Sequence, residues 1–238
     1  MDKYEDNKTI SKEIKVNGEK NGNGKEYNYS GKLIYEGEYF NGERWTGKGK
    51  EYHNNGKICF VGEYIAGRKW NGKSYNMTKN VEYSLNNGKG YLIEYYDNGK
   101  LKFEGKYLNG ERNGKGKEYY ENGQLKYEGE YLNGKCNGIG KEYRENGELI
   151  FEGEYLNYVK QKGKVKEYYE NGQFEFEGEY LNGKANRKGK EYLENGKLSF
   201  EGEYLNWKRW NGKGRKYSKN GELLFEEEYL NGQKKKIQ

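Results

Sequence analysis

Few side chains in this sequence are of a type that does chemistry. There is one histidine, His53, placed just before Asn54-Asn55-Gly56, and it reads as an exposed residue at the edge of a turn. A single imidazole leaves no material for a His-based triad, a dyad or a multi-His metal site. The two cysteines, Cys59 and Cys136, stand in neither a CxxC nor a zinc-finger spacing. Glu152 and Glu154 are the kind of pair that serves acid–base catalysis, but such pairs recur along the whole chain. A reaction centre is needed once, so these pairs read as structural charge ladders. None of the 20 Asn-Gly pairs is followed by Lys-Ser/Thr and a helix, as a phosphate cradle requires. The residue types therefore predict no catalytic site, no metal site and no cofactor. The distinctive residues are tryptophans beside cations: Arg44-Trp45, Arg68-Lys69-Trp70 and Trp207-Lys208-Arg209-Trp210. Trp next to Arg suits a partner-binding hot spot or a lipid interface. The alternative is that each Trp folds back and caps its own hairpin.

The elements that carry these residues follow from composition. Of 238 residues, 32% are hydrophobic and 34% charged, which alone would indicate disorder. Against that, 16% are aromatic, with 27 Tyr. With 37 Gly and no Pro, the apolar material is thin and sits in large amphipathic rings. A single layer suits it better than a globule with a thick core. Net charge is +6, finely interspersed, which gives no reason to expect nucleic acid as a partner. No apolar run approaches the roughly 18 residues of a membrane span. The opening MDKYEDNKTISKEIKV lacks the apolar stretch of a signal peptide. The expected location is cytoplasmic.

The chain repeats itself. The aromatic before Glu-Gly recurs at Tyr35, Phe60, Phe103, Tyr127, Phe151, Phe176, Phe200 and Phe225, mostly 24 or 25 residues apart. A degenerate copy near Lys79 and an interval of 19 residues predict an irregular seam at 76–82. Within a unit the apolar period is two. Leu198, Phe200, Gly202 and Tyr204 should share one face, with Glu201 and Glu203 on the other. Asn-Gly pairs between such segments are strong hairpin signals, because both residues accept φ > 0. Frequent Gly and the absence of a 3.6-residue stripe exclude helix. The expected fold is all-β: an elongated antiparallel meander of about nine hairpins over residues 11–232. A weakly ordered stretch at 1–10 precedes it, and a basic tail at 233–238, with Lys234-Lys235-Lys236, follows. Cys59 and Cys136 then lie three hairpins apart, about 29 Å, and stay free thiols.

YEGEYLNGKCNGIGKEY at 127–143 resembles the MORN repeat, with Tyr127, Gly129, Tyr131, Gly134, Gly138 and Gly140 in the pattern positions. FEGKYLNGERNGKGKEY at 103–119 matches with Phe103 in place of the first Tyr. The extra ENGxL turn and the 24–25 spacing are more similar to the variant MORN repeat of bacterial antitoxin-like and giant-virus proteins. Departures fall at Glu227 in a Gly position, at Arg187-Lys188 and at Tyr158-Val159-Lys160-Gln161. The resemblance implies a hairpin scaffold. MORN proteins organise cytoskeletal or membrane-junction assemblies, or accompany phosphoinositide kinases. The function expected here is a non-catalytic scaffold that binds another protein through an aromatic groove or its Trp-bearing turns. Alternatives are a peripheral binder of acidic phospholipid and an antitoxin-like partner of a toxin. The protein is expected as a monomer, or as a homodimer paired through an open strand edge at 225–231.

Overall fold

The computed structural model describes residues 14–16, 19–28, 30–53, 56–75 and 82–236. These form β-strands and turns, with no helix among the described residues. The chain divides into two units between Gln124 and Leu125. The first contains β1 (Ile14–Val16), β2 (Glu19–Tyr27), β3 (Leu33–Phe40), β4 (Glu43–Tyr52), β5 (Ile58–Ile65), β6 (Arg68–Tyr75), β7 (Glu82–Asn86), β8 (Lys89–Tyr95), β9 (Leu101–Leu108) and β10 (Glu111–Tyr119). Each strand pairs antiparallel with the next. The second contains β11 (Leu125–Leu132), β12 (Lys135–Tyr143), β13 (Leu149–Leu156), β14 (Val159–Tyr168), β15 (Phe174–Leu181), β16 (Lys184–Tyr192), β17 (Leu198–Leu205), β18 (Lys208–Tyr217), β19 (Leu223–Leu230) and β20 (Gln233–Lys236). It is the same meander.

The Asn-Gly turns close the hairpins as the sequence predicts. Asn133 has φ 49° and Gly134 φ 79°, and the other turns of this kind repeat the pair of positive angles. At Tyr158 and Trp207 a bulky residue takes the second turn position, at φ 71° and 69°. The ENG turns close differently. The Asn195 Oδ1 accepts the Lys197 N–H at 3.1 Å, and Leu193 and Lys197 exchange a backbone bond.

The aromatic rings make the core of each layer. Tyr35, Phe60, Phe103, Phe151 and Phe200 are almost completely buried. Glycine makes this burial feasible without a second layer. The Phe200 ring lies flat over Gly202 and its cross-strand neighbour Gly212, and a Cβ on either would fall within about 3 Å of Phe200 Cζ. Rings then meet edge to face within a strand and between successive hairpins: Phe200 lies 5.1 Å from Tyr204 of the same strand and 5.3 Å from Tyr229 of the next hairpin. Such pairs add about 0.5–1.5 kcal/mol each to their burial.

Leu198 does not share the face of Phe200, contrary to the simple alternation. Tyr192 stands opposite Leu198 and Glu191 opposite Phe200, so Ser199 is an extra residue in a β-bulge. The bulge turns Leu198 to the side of Tyr192. The same shift recurs where Tyr27, Tyr52, Tyr95, Tyr143, Tyr168 and Tyr217 meet the next strand. These second-strand tyrosines therefore line the charged face, where the Tyr143 and Tyr192 hydroxyls bond to Glu128 and Glu177.

Three further expectations meet the structure at their edges. The seam at 76–82 lies outside the described residues except Glu82, and β6 pairs directly with β7 on its far side. His53 is buried, not exposed at a turn edge, because its ring packs edge-on against Tyr95 at 4.4 Å. Gln233–Lys236, read as part of a tail, forms β20 along the 225–231 strand. Cys59 and Cys136 are free thiols.

Candidate functional site

Most hairpins build one polar cell on the aromatic face. The Glu of the Lys-Glu-Tyr segment points inward, because the bulge that follows it turns only the Tyr outward. Thirteen residues later a buried Tyr donates its hydroxyl to that carboxylate, and eighteen residues later an Arg or Lys closes on it. Glu94 takes the Tyr107 hydroxyl and the Arg112 guanidinium, each at 2.6 Å. Glu191 takes Tyr204 at 3.1 Å and Arg209 at 2.6 Å. Glu26 with Tyr39 and Arg44, Glu51 with Tyr64 and Lys69, and Glu142 with Tyr155 and Lys160 repeat the arrangement. The cation also lies over the first aromatic of its hairpin: Arg112 stands 3.9 Å above the Phe103 ring, and Arg209 stands 5.0 Å above Phe200.

The electrostatics follow from this packing. Burial disfavours the charged Glu94, yet Arg112 and the Tyr107 hydroxyl outweigh it and hold the carboxyl below its ordinary pKa. Burial, then the adjoining carboxylate, pushes the Tyr107 and Tyr204 phenols far above theirs. In the Glu94 cell the three groups thus stay carboxylate, phenol and cation, each paired with the others.

Three cells depart from this plan: Cys136 takes the cation position eighteen residues after Glu118, and two more departures lie nearer the end of the chain. The last one keeps its charge balance by a swap. Lys216 replaces the usual Glu, and Glu227 replaces the usual Gly. The Glu227 side chain is almost fully buried and bonds Lys234 at 2.6 Å. Sequence reasoning flags Glu227 as a departure but misses this compensation. Two cells before it, Ala185 replaces the cation and is completely buried. Trp207, from the next turn, covers it, with its ring 5.6 Å from Phe176 and 5.4 Å from Tyr180.

The sequence-selected residues divide between these cells and the turns. Arg44, Lys69 and Arg209 are cell cations, with side chains one-quarter exposed or less. Trp45, Trp70 and Trp210 each follow one of them and rest on the next hairpin. Their carbonyls accept the N–H groups of Gly67, Gly88 and Gly232 at 2.7–2.9 Å. A Cβ on Gly88 would meet Trp70 Cζ3 at 2.9 Å, and one on Gly232 would meet Trp210 at 3.1 Å. The Trp70 and Trp210 rings thus cap a neighbouring turn, whereas the Trp45 ring also packs on its own hairpin, 5.2 Å from Phe40. Arg68 pairs with Glu111 at 2.8 Å. Lys208 is exposed and stands across the ladder from Leu205. The segment Gly67–Ser74 has the letters of a phosphate-binding loop, but it forms β6, with Ser74 buried and Lys73 paired to Glu82 at 2.7 Å.

Two outer surfaces remain. The charged face alternates acidic and basic strands, so that Lys190 lies between Glu177 and Glu201 at 3.9 and 3.7 Å. A groove of about 640 Å³ in the second unit runs over this self-neutralised ladder. At the turns, the residue before most of these Asn-Gly or equivalent pairs is apolar and exposed. Phe40, Ile65 and Leu108 mark it in the first unit, and Leu132, Leu156, Leu205 and Leu230 in the second, each at 41–52% exposure. Trp45, Tyr158 and Trp207 add exposed rings beside them. The sequence signal for this row is the Leu-Asn-Gly tripeptide itself.

The MORN repeat variant matches residues 45–66, 89–109, 112–133 and 161–182, and the MORN repeat matches 127–148 and 176–197. No curated protein matches. Among solved structures, the chain is similar to one titled TcdB2-TccC3-TEV, at 10% identity over 90% of this chain and TM-score 0.23. A second, titled TcdB2-TccC3 without hypervariable C-terminal region, aligns at 8% identity over 87% of this chain and TM-score 0.24. This chain spans 13% of the length of each. Hairpins of this form, closed by paired positive-φ turns and floored by facing glycines, together with those matches, make the chain a MORN-repeat protein.

Proposed function

We propose that this protein is a non-catalytic scaffold that binds another protein along the row of exposed apolar residues at its hairpin turns. MORN repeats are in general protein or membrane interaction modules. The observation that carries the reading is the recurrence of Leu132, Leu156, Leu205 and Leu230 with half-exposed side chains at one position of successive hairpins. Hairpins repeat about every 10 Å, so a flat or extended partner meets several equivalent contacts at once. Trp207 and Tyr158 supply the aromatic anchors such surfaces use. Replacing Leu132, Leu156 and Leu205 together with Ser tests the reading, since these side chains carry little of the core. Affinity capture from the native cell should lose its partner with the triple variant. Equal capture by both proteins would sink the idea.

A second reading has its own support. Lys135, Lys184 and Lys208 stand directly across from Leu132, Leu181 and Leu205. A leucine beside a lysine suits the surface of an acidic bilayer. Flotation with phosphatidylserine vesicles at low salt, lost on Lys135, Lys184 and Lys208 replacement, would favour it.

A further inference from the structure

The cell around Ala185 differs from its neighbours in three independent ways. Its carboxylate, Glu167, keeps the Tyr180 hydroxyl as partner but faces no cation, because the residue eighteen positions on is Ala185. The bulge position that is Ser199 in the following hairpin is Glu175 here. Burial, then the hydrogen bond and charge of Glu167, raise the Tyr180 phenol, and the exposed Glu175 adds a smaller push from the bulge. Finally, Trp207 stands over Phe176 and Tyr180 with 45% of its surface exposed, held at an unfavourable φ of 69°. Backbone strain of that kind persists where the surroundings enforce it.

The geometry points to a binding cell for an external guanidinium or ammonium group: an Arg or Lys side chain of a partner polypeptide, received over the Phe176 ring in the place that the half-exposed Trp207 ring now takes, with Glu167 as counter-ion. The other cells show what such a group gains. Arg209 forks onto Glu191 while lying over Phe200, and Lys69 bonds Glu51 at 2.8 Å while lying 4.5 Å above Phe60. In those hairpins the chain supplies its own cation. Here it supplies the Glu167 carboxylate and the Phe176 and Tyr180 rings without a cation of its own, the lining that recognises one. The inference does not depend on the leucine row, since Ala185 and Phe176 lie on the aromatic face.

The test is an NMR titration of the full chain with the peptide acetyl-Gly-Arg-Gly-amide, read at the Trp207 indole N–H and assigned with Trp207→Phe. The neutral citrulline peptide and calcium chloride serve as comparison ligands. A saturable shift is expected with the Arg peptide, at least tenfold weaker with citrulline and in Glu167→Gln. It should vanish in Ala185→Arg, which fills the cell from within; Ala185→Lys serves the same purpose should the longer side chain disturb the hairpin. The proposal is overturned by equal response to Arg and citrulline, by unchanged affinity in Glu167→Gln, by an equal response to calcium, or by no saturable shift at all. A protein partner captured through the leucine row would leave each of these outcomes unaltered.

Discussion

Gly202→Ala tests the reason the repeat needs its glycine. A Cβ there would stand 2.7 Å from Gly212 Cα and 2.8 Å from Phe200 Cζ, and closer still to the Asn211 carbonyl oxygen. Ordinary contact begins near 3.4 Å, so β17 and β18 must part by at least 0.7 Å. Two ladder bonds stretch or break, at about 1 kcal/mol each, and the seated ring overpacks at about 1–3 kcal/mol. The lower entropy of the unfolded Ala chain returns about 0.4–1 kcal/mol. The expected net loss is about 2–4 kcal/mol. Gly134→Ala is the matched control. Nothing lies within 4 Å of its Cβ, but φ is 79°, so the cost is the left-handed strain of about 1–2 kcal/mol less the same entropy return. Urea unfolding of both variants, with amide exchange to locate the opening, measures the difference. Exchange should accelerate in β17 and β18 for the first variant and only at the turn for the second. Equal destabilisation, or a more costly turn variant, would refute the role assigned to the glycine floor.

Glu227→Gln should destabilise the terminal hairpin by about 1–3 kcal/mol. The double replacement Glu227→Gly with Lys216→Glu should recover most of it, because the carboxylate returns to its usual place; exchange rates in β19 and β20 report both. Burial lowers the His53 pKa. A base that protonates more readily when unfolded adds stability above its unfolded value, near 6.5, and loses it as pH falls toward the folded pKa. Acidification from pH 7 to 5 should therefore loosen the packing against Tyr95, and the lone imidazole signal should titrate below 6.5. Cys59 is pushed up to about 11, mainly by burial and then by Glu51. At pH 8 its thiolate fraction is about a hundredfold below that of a thiol of pKa 9, and iodoacetamide should label it correspondingly slowly.

The hairpins are legible in the sequence because a turn is local: Asn and Gly announce positive φ wherever they stand. The Glu-Tyr-cation cells are not, because their members come from three strands and the bulge that aims the Glu inward leaves no composition signal. A phase shift at Leu198 reverses the face assigned by alternation, and only the ladder reveals it. Intervals of thirteen and eighteen residues between Glu94, Tyr107 and Arg112, repeated at Glu191, Tyr204 and Arg209, were the available clue. Arg44, Lys69 and Arg209 drew notice for adjoining Trp, whereas their position in the repeat explains them. His53 misleads for a related reason, since the ring that buries it belongs to a distant hairpin.

Asn-Gly is also the dipeptide most prone to deamidation, in which the glycine nitrogen attacks the asparagine side chain and expels ammonia. In this protein the nitrogens of Gly42, Gly88, Gly110, Gly183 and Gly232, each preceded by Asn, donate to a carbonyl of the hairpin before them. The bond that stacks one hairpin on the next thereby occupies the nucleophile of the ageing reaction, and the chemical lifetime of these turns rises with the integrity of the stack.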